Sequence, residues 1–229
     1  SYYIDPAGRF CIVADGMGGH AGGEEASRLA VSAIRDCLGE HWTSETPSPK
    51  LLELAIDSAN EAILTDQQHY PSRADMGTTV LAVVFRDDGV WCAHVGDSRL
   101  YQFRDRQLKA VTEDHTWVAR AIRLGELSRE DARLHPWRHI LSHCLGREDL
   151  DQIDLTPLTL QVGDRLLLCS DGLTEELPDD TISAHLATSS GRQTATLLVE
   201  AAKEQGGRDN VTVVVVDYQG DAKRDSGAT

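Results

Sequence analysis

Apolar residues along this chain come in short runs separated by polar turns, with two stretches of helical spacing near the start and two near the end. Residues 10–14 read as a short buried strand, followed by a glycine-rich loop over 16–23. Ala26, Leu29, Ala30, Ala33, Ile34 and Cys37 then recur three and four residues apart, which predicts an amphipathic helix. After a polar connection at 43–49, Ser48 before Pro49 reads as an N-cap with proline at the first helical position. Leu51, Leu52, Ala55, Ala59, Ala62 and Ile63 continue as a second helix.

The character changes at residue 78. The β-branched runs 78–85 and 90–95 flank Asp87-Asp88-Gly89, a hairpin signal, and 99–103 and 107–111 flank Arg104-Asp105-Arg106. The segment 112–149 is less regular, with a short helix near 117–124 and a capping box from Ser128 to Asp131. Strands are expected at 154–160 and 165–170 around Val162-Gly163-Asp164, helices at 179–187 and 194–205, and a last strand at 211–218. A polar tail, 219–229, is expected to be disordered. This order does not fit a parallel β-α-β alternation. It fits an α+β protein in which antiparallel sheets carry helices on their outer faces, as one domain over 1–218.

Composition narrows the class. With 229 residues, 41% of them hydrophobic, the chain can bury a sizeable core. Its apolar runs are far shorter than the roughly 20 residues of a membrane span, and no signal segment opens the chain, so a soluble protein is expected. Acidic residues outnumber basic ones 37 to 22, and the formal charge of -15 argues against nucleic acid and anionic membranes as partners. The five cysteines show no C-x-x-C, and Cys11, Cys92 and Cys169 lie in apolar runs, so a reducing, cytoplasmic setting without disulfides is expected.

Four aspartates stand where strands stop. Asp15 follows the first strand, Asp97 follows Val95-Gly96, Asp171 follows Leu168-Cys169-Ser170, and Asp209 with Asn210 precedes the last strand. Any one of them could be an ordinary turn former. Converging carboxylates, however, repel one another unless cations intervene, and all-oxygen donors suit magnesium or manganese rather than zinc. Two such ions about 4 Å apart can activate a water and clamp a phosphoryl group. The residues alone therefore leave a two-metal phosphoester hydrolase beside the bland reading of solvated turns.

Five ordered strings sharpen the choice: Val13-Ala14-Asp15-Gly16-Met17-Gly18-Gly19-His20, Met76-Gly77-Thr78-Thr79, Val95-Gly96-Asp97-Ser98-Arg99, Ser170-Asp171-Gly172-Leu173 and Gly207-Arg208-Asp209-Asn210-Val211-Thr212. Together, over about 10–216, they resemble the consecutive motifs of the type 2C (PPM) metal-dependent Ser/Thr protein phosphatases. The resemblance implies a four-layer α-β-β-α sandwich. It implies hydrolysis of phosphoserine and phosphothreonine in proteins by a metal-bridging water, with no phosphoenzyme. It implies Asp15 as bridging ligand, the Gly16 carbonyl, Asp171 and Asp209 as the other ligands of two core Mg2+ or Mn2+ ions, and Asp97 with Asp171 at a third, weaker ion. Asn210 is expected to support its loop. The segment 112–149 matches the family's variable flap. Asp114-His115-Thr116-Trp117, His135-Pro136-Trp137-Arg138-His139 and Leu145-Gly146-Arg147-Glu148-Asp149-Leu150 look like the short cyanobacterial members. Some of those act on the PII signal protein, which makes PII phosphoserine a candidate substrate of a monomeric enzyme.

Two departures stand out. Met17 occupies a place where eukaryotic members often have histidine, so His20 is the nearest candidate proton donor to the leaving group. The family's first strand, with its phosphate-binding arginine, is expected to be absent upstream of Ser1, which leaves a weak or catalytically dead phosphoprotein-binding fragment as the alternative; Arg138, Arg147 and Arg208 are the candidate substitutes. A small-molecule phosphomonoesterase is the other rival. His135, His139 and His143 share helical spacing, but Pro136 interrupts it, which argues against zinc. The 16–23 loop lacks the Lys-Ser/Thr of a nucleotide loop, and neither Cys144 nor Cys169 sits in a C-x5-R phosphatase signature.

Overall fold

Residues 1–188 and 190–220 are described by a computed structural model. In chain order the elements are β1 (Tyr2–Ile4), β2 (Phe10–Val13), β3 (Gly16–Met17), α1 (His20–Glu40), α2 (Ser48–His69), β4 (Gly77–Thr78), β5 (Val80–Arg86), β6 (Gly89–Val95), β7 (Arg99–Arg104) and β8 (Gln107–Ala110). Then come α3 (Trp117–Arg123), α4 (Arg129–Leu134), β9 (Asp154–Leu158), β10 (Arg165–Cys169), α5 (Asp171–Thr174), α6 (Asp179–Leu186), α7 (Gly191–Gln205) and β11 (Val213–Asp217). A single 3-10 turn, Pro71–Arg73, links α2 to β4.

The strands form two antiparallel sheets, ordered β1-β2-β5-β6-β9 and β11-β10-β7-β8, with β3-β4 as a small separate ladder. Three apolar clusters make four layers of them. Cys11, Val13, Leu81, Val83, Leu166 and Leu168 fill the space between the sheets. Ile12, Ala82 and Ala93 meet Ala30, Ile34, Leu52 and Ile56 of α1 and α2 on one outer face. Leu167 and Cys169 meet Ile182 of α6 and Leu198 of α7 on the other. Successive residues of β2, β5 and β10 thus alternate between two cores, because side chains in a strand point to opposite faces. This is why these strands read as unbroken apolar runs: both faces are covered. Fully burying each large side chain contributes roughly 1.5–3 kcal/mol. The expected four-layer sandwich is what the chain forms.

Several boundaries differ from expectation. Tyr2–Ile4, which carries no obvious pattern, pairs with β2, Ile4 opposite Cys11. Helix α1 starts at His20, six residues before Ala26, so Gly22 and Gly23 belong to the helix and the expected loop at 16–23 is shorter. A Cβ on Gly23 would sit 2.5 Å from the Gly16 carbonyl oxygen, so glycine is required there for close approach rather than for a turn. Ser48 does not cap α2. Its backbone N–H and hydroxyl donate to Asp88 at 2.7 and 2.5 Å, and Pro47 holds the cap position. The 78–85 run splits, Gly77–Thr78 pairing with β3 and Val80–Arg86 entering the sheet. Ser128 does cap α4, its hydroxyl accepting from the Asp131 N–H at 3.1 Å. Of the tail expected at 219–229, residues 221–229 lie outside the described residues. Among the described residues, no helix is long and apolar enough to cross a membrane.

Candidate functional site

Asp15 leaves β2 and is knitted to the strand beside it. Its N–H donates to Thr79 Oγ1 at 3.0 Å, and its carbonyl accepts from the Thr79 N–H and Thr78 Oγ1, both at 2.8 Å. Thr79 Oγ1 in turn meets Ser98 Oγ at 2.7 Å, next to Asp97. Asp97 stands where the chain crosses from β6 in one sheet to β7 in the other. Gly96 makes that crossing with φ +110, and a Cβ there would lie 2.6 Å from the Thr79 side chain. Asp171 opens α5 at the end of β10. Gly172 after it passes so close to the Asn210 carbonyl that a Cβ would come within 2.4 Å. Ser170 Oγ donates to Asn210 O at 3.2 Å and accepts from the Thr212 N–H at 3.0 Å. Asn210 thus ties the loop before β11 to Asp171, and Asp209 accepts the Asn210 N–H at 2.7 Å.

The four carboxyls share one end of the two sheets, and their electrostatics show how close they are. Burial, then the charges of Asp171 and Asp209, pushes the Asp15 carboxyl up to about 7. Burial and the Asp171 and Asp114 charges push Asp97 well above the usual carboxylate range. Burial and then Asp209 raise Asp171, and burial and then Asp171 raise Glu175. Crowded carboxyls such as Asp15, Asp97 and Asp171, each raised by burial and by its acidic neighbours, mark a place that lacks positive charge. Asp171 Oδ1 is buried and finds no hydrogen-bond partner among the described residues. An orphaned buried oxygen in a cluster of hard donors, beside a glycine carbonyl kept open by Gly23, fits divalent cations. Asp15, Gly16, Asp97, Asp171 and Asp209 are the residues brought together; the His20 side chain lies outside the described residues.

The structure brings two further groups to the site, Glu175 and, from the three spaced histidines of the flap, His139. His139 Nδ1 pairs with Glu175 Oε1 at 2.6 Å, and both present ligand atoms within 4.8 Å of the Asp171 carboxylate. Glu175 is four residues after Asp171, the spacing that stacks side chains on one helix face, and that signal was available in the string. His139 lines a cleft of about 550 Å³ with Met17, Cys144, Arg147 and Asp149, beneath the segment 112–149. That segment is held at its roots by the bridges Thr116–Leu141 and Thr78–Leu145. The three spaced histidines scatter because α4 ends at Leu134. His135 stacks on Trp117 at 4.9 Å, His139 joins Glu175, and His143 meets the His115 ring at 5.2 Å.

A second cluster, His94, His115 and Asp154, also has ligand atoms within 4.8 Å of one another. Its polarity does not suit a metal. His115 Nδ1 accepts the Gly96 N–H at 3.2 Å, so Nε2 carries the ring proton and donates to Asp154 at 3.1 Å. Both His115 ring nitrogens are thereby engaged, and neither lone pair is left free for a metal. Burial, then the neighbouring His115, lowers His94 to about 4 and keeps it neutral.

A family profile described as Protein phosphatase 2C matches residues 1–205. The chain belongs to that family. It is 38% identical over 212 residues to the serine/threonine protein phosphatase PstP of Mycobacterium tuberculosis, covering 91% of this chain and 40% of that protein. It is 37% identical to the serine/threonine phosphatase stp of Listeria monocytogenes, covering 90% of this chain and 83% of that one. The chain therefore spans less than half the length of the mycobacterial relative. The crystal structure of PstP superposes with a TM-score of 0.85 at 36% identity, covering 96% of this chain and 92% of that chain. A second PstP structure, of the catalytic domain in complex with two manganese ions, gives 0.83 at 34%, covering 94% and 90%.

Proposed function

We propose that this protein phosphatase 2C chain hydrolyses phosphoserine and phosphothreonine in other proteins, with Mn2+ or Mg2+ in the carboxylate cluster. The observation that carries the reading is the orphaned, buried Asp171 oxygen amid carboxyls whose ionisation is suppressed. The residues fit two core cations held by Asp15, the Gly16 carbonyl, Asp171 and Asp209, and a third, weaker one held by Asp97 and Asp171. Divalent cations there would acidify water and neutralise phosphoryl oxygens. The metal-bound structure of PstP supports the metal assignment.

The chain's own side chains do the rest. Asp15, fixed through its backbone by Thr78 and Thr79, holds its carboxylate still between the sheets. Of the three candidate phosphate-binding arginines, Arg208 is committed to Glu176 at 2.8 Å, with Nη2 reaching the Glu175 carbonyl at 3.5 Å. Arg138 and Arg147 stay with the flap, and Arg147 lines the cleft beside Met17. Arg147 is the better placed to meet the phosphoprotein, since guanidinium donors match phosphate oxygens. His20 is the candidate acid for the leaving serine or threonine oxygen.

We place the protein in the cytoplasm as a monomer, with phosphoproteins rather than nucleic acid or membrane as partners. The motif strings that look cyanobacterial support PII phosphoserine as a substrate; the relatives above are mycobacterial and listerial. The test compares a phosphopeptide with sugar phosphates at saturating Mn2+, before and after chelation. Turnover of the peptide alone, abolished by chelator, supports the reading. Preference for sugar phosphates, or binding without turnover, contradicts it.

A further inference from the structure

The core-facing side of α2 carries a polar residue. Asn60 is only 8% exposed and lies among Ile56, Ala59 and Ile63. A buried amide is tolerated when its donors and acceptor are used. Asn60 spends them on backbone 86 and 87 residues away. Its Oδ1 accepts the Gly146 N–H at 2.7 Å and the Arg147 N–H at 3.3 Å, and its Nδ2 donates to the Arg147 carbonyl at 3.0 Å. Two helical turns on, Gln67 Nε2 donates to the Met76 carbonyl at 2.7 Å and the Gly146 carbonyl at 3.0 Å.

Gly146 makes the grip feasible. Its φ is +87, and a Cβ would lie 2.8 Å from the Met76 carbonyl oxygen and 2.9 Å from Ile63 Cγ2. The gripped residues end the flap. Leu145 pairs with Thr78, N–H to carbonyl at 2.9 Å and the reverse at 3.3 Å, and Thr78 Oγ1 holds the Asp15 carbonyl. Arg147 follows, its Nη1 donating to the Gly146 carbonyl at 3.0 Å and reaching the Met76 carbonyl at 3.5 Å. The position of the Arg147 guanidinium relative to the carboxylates is therefore set by α2, through three backbone groups of residues 146 and 147.

We infer that Asn60, with Gln67 behind it, is a positioning residue for protein substrates: it holds the flap root so that Arg147 faces the phosphoprotein in the cleft. The inference rests on the phosphatase reading above. An apolar side chain at 60 would leave the Gly146 and Arg147 N–H groups and the Arg147 carbonyl without their partner, so the amide fixes this stretch of backbone in one position, and the substrates distinguish that positioning from a contribution to stability alone.

The experiment measures kcat and KM at saturating Mn2+ on a phosphopeptide and on an aryl phosphate. The variants are Asn60→Leu, Asn60→Asp, Gln67→Leu, Arg147→Ala and the Asn60→Leu/Arg147→Ala pair. Asn60→Leu should raise KM for the phosphopeptide about tenfold, and its loss of kcat/KM there should exceed the aryl phosphate loss by at least fivefold. Asn60→Asp keeps the acceptor for both backbone N–H groups but loses the donor to the Arg147 carbonyl, so it should recover part of that loss. The pair should be no worse on the phosphopeptide than Arg147→Ala alone, because Asn60 acts through Arg147. If Asn60→Leu does not fold, Gln67→Leu at the half-exposed position carries the same comparison with a smaller effect. Full additivity in the pair, equal losses on both substrates, or no recovery with Asn60→Asp would overturn the inference while leaving the phosphatase reading intact. A wild type that turns over neither substrate would overturn both.

Discussion

Asp171 concentrates the problem that the site must solve. It is flanked by Asp15, Asp209, Asp97 and Glu175, one of its oxygens has no hydrogen-bond partner among the described residues, and burial raises its pKa. Without cations this crowding opposes folding; with them it becomes binding energy, because a ligand that binds only the folded state stabilises it. Asp171→Asn should therefore melt higher than wild type in the presence of chelator at pH 8. It should gain little on adding Mn2+, where wild type gains several degrees, and its activity on a phosphopeptide should fall at least a hundredfold. Calorimetry with and without Mn2+ checks both signs. Asp97 serves only the proposed third ion, so Asp97→Ala should keep the core cations while losing turnover on phosphopeptides. A crystal soaked in Mn2+ that showed the core sites vacated would contradict that division. The aspartates were legible in the string because three end an apolar strand beside a glycine, and Asp209 with Asn210 precedes the last strand. The pairing of His139 with Glu175 was not legible, because it forms only when the flap folds back over α5, which begins 32 residues after His139.

At the scale of elements, local polar chemistry decides what hydrophobic periodicity leaves open. The β7–β8 turn places Asp105 at φ 50 and Arg106 at φ 62, both left-handed and neither a glycine. Such a two-residue turn favours Asn-Gly. Replacing the pair by Asn-Gly should relieve roughly 1 kcal/mol of strain at the second position, raising Tm by about 2–4 °C for a chain of this size. The Val162-Gly163-Asp164 turn is held instead by charge. Asp164 accepts from Arg104 Nε and Nη2 at 2.7 and 2.6 Å, from Gln102 at 2.9 Å and from the Gln161 N–H at 2.8 Å. The Arg104 hydrogen bonds lower its carboxyl to about 2. A folded pKa below the unfolded one gives stability that is present above about pH 4 and lost as pH falls through about 2. The Tm gap between wild type and Asp164→Asn should thus be constant from pH 5 to 8 and shrink between about pH 4 and pH 2. A gap that widened in acid would contradict the ion-pair account. The flap is the least regular element, touches the site through His139 and lines the cleft with Arg147, so exchanging 112–149 for that of a relative should change preference among phosphoproteins more than hydrolysis of an aryl phosphate. Equal losses on both would mean that the segment supports the core.

For the whole molecule, the sequence reading recovered the architecture because its evidence is distributed. Runs such as Leu166-Leu167-Leu168-Cys169 report two covered faces, and two covered faces on antiparallel strands require sheet against sheet with helices outside. Where the reading missed, the cause was a long-range contact. Tyr2–Ile4 becomes a strand only because Phe10–Val13 offers an edge, and α1 extends back through Gly22 and Gly23 because those glycines let it close on the Gly16 carbonyl. The central claim is that this sandwich holds a cluster of carboxylates together for divalent cations, which would acidify the water that attacks a protein phosphomonoester. The most direct measurement is phosphate release from a phosphothreonine peptide by chelator-stripped protein, titrated separately with Mn2+, Mg2+ and Zn2+. Near-zero turnover when stripped, restored by Mn2+ or Mg2+ and not by Zn2+, is the predicted result. Turnover that survives stripping, or that Zn2+ alone restores in full, would contradict it.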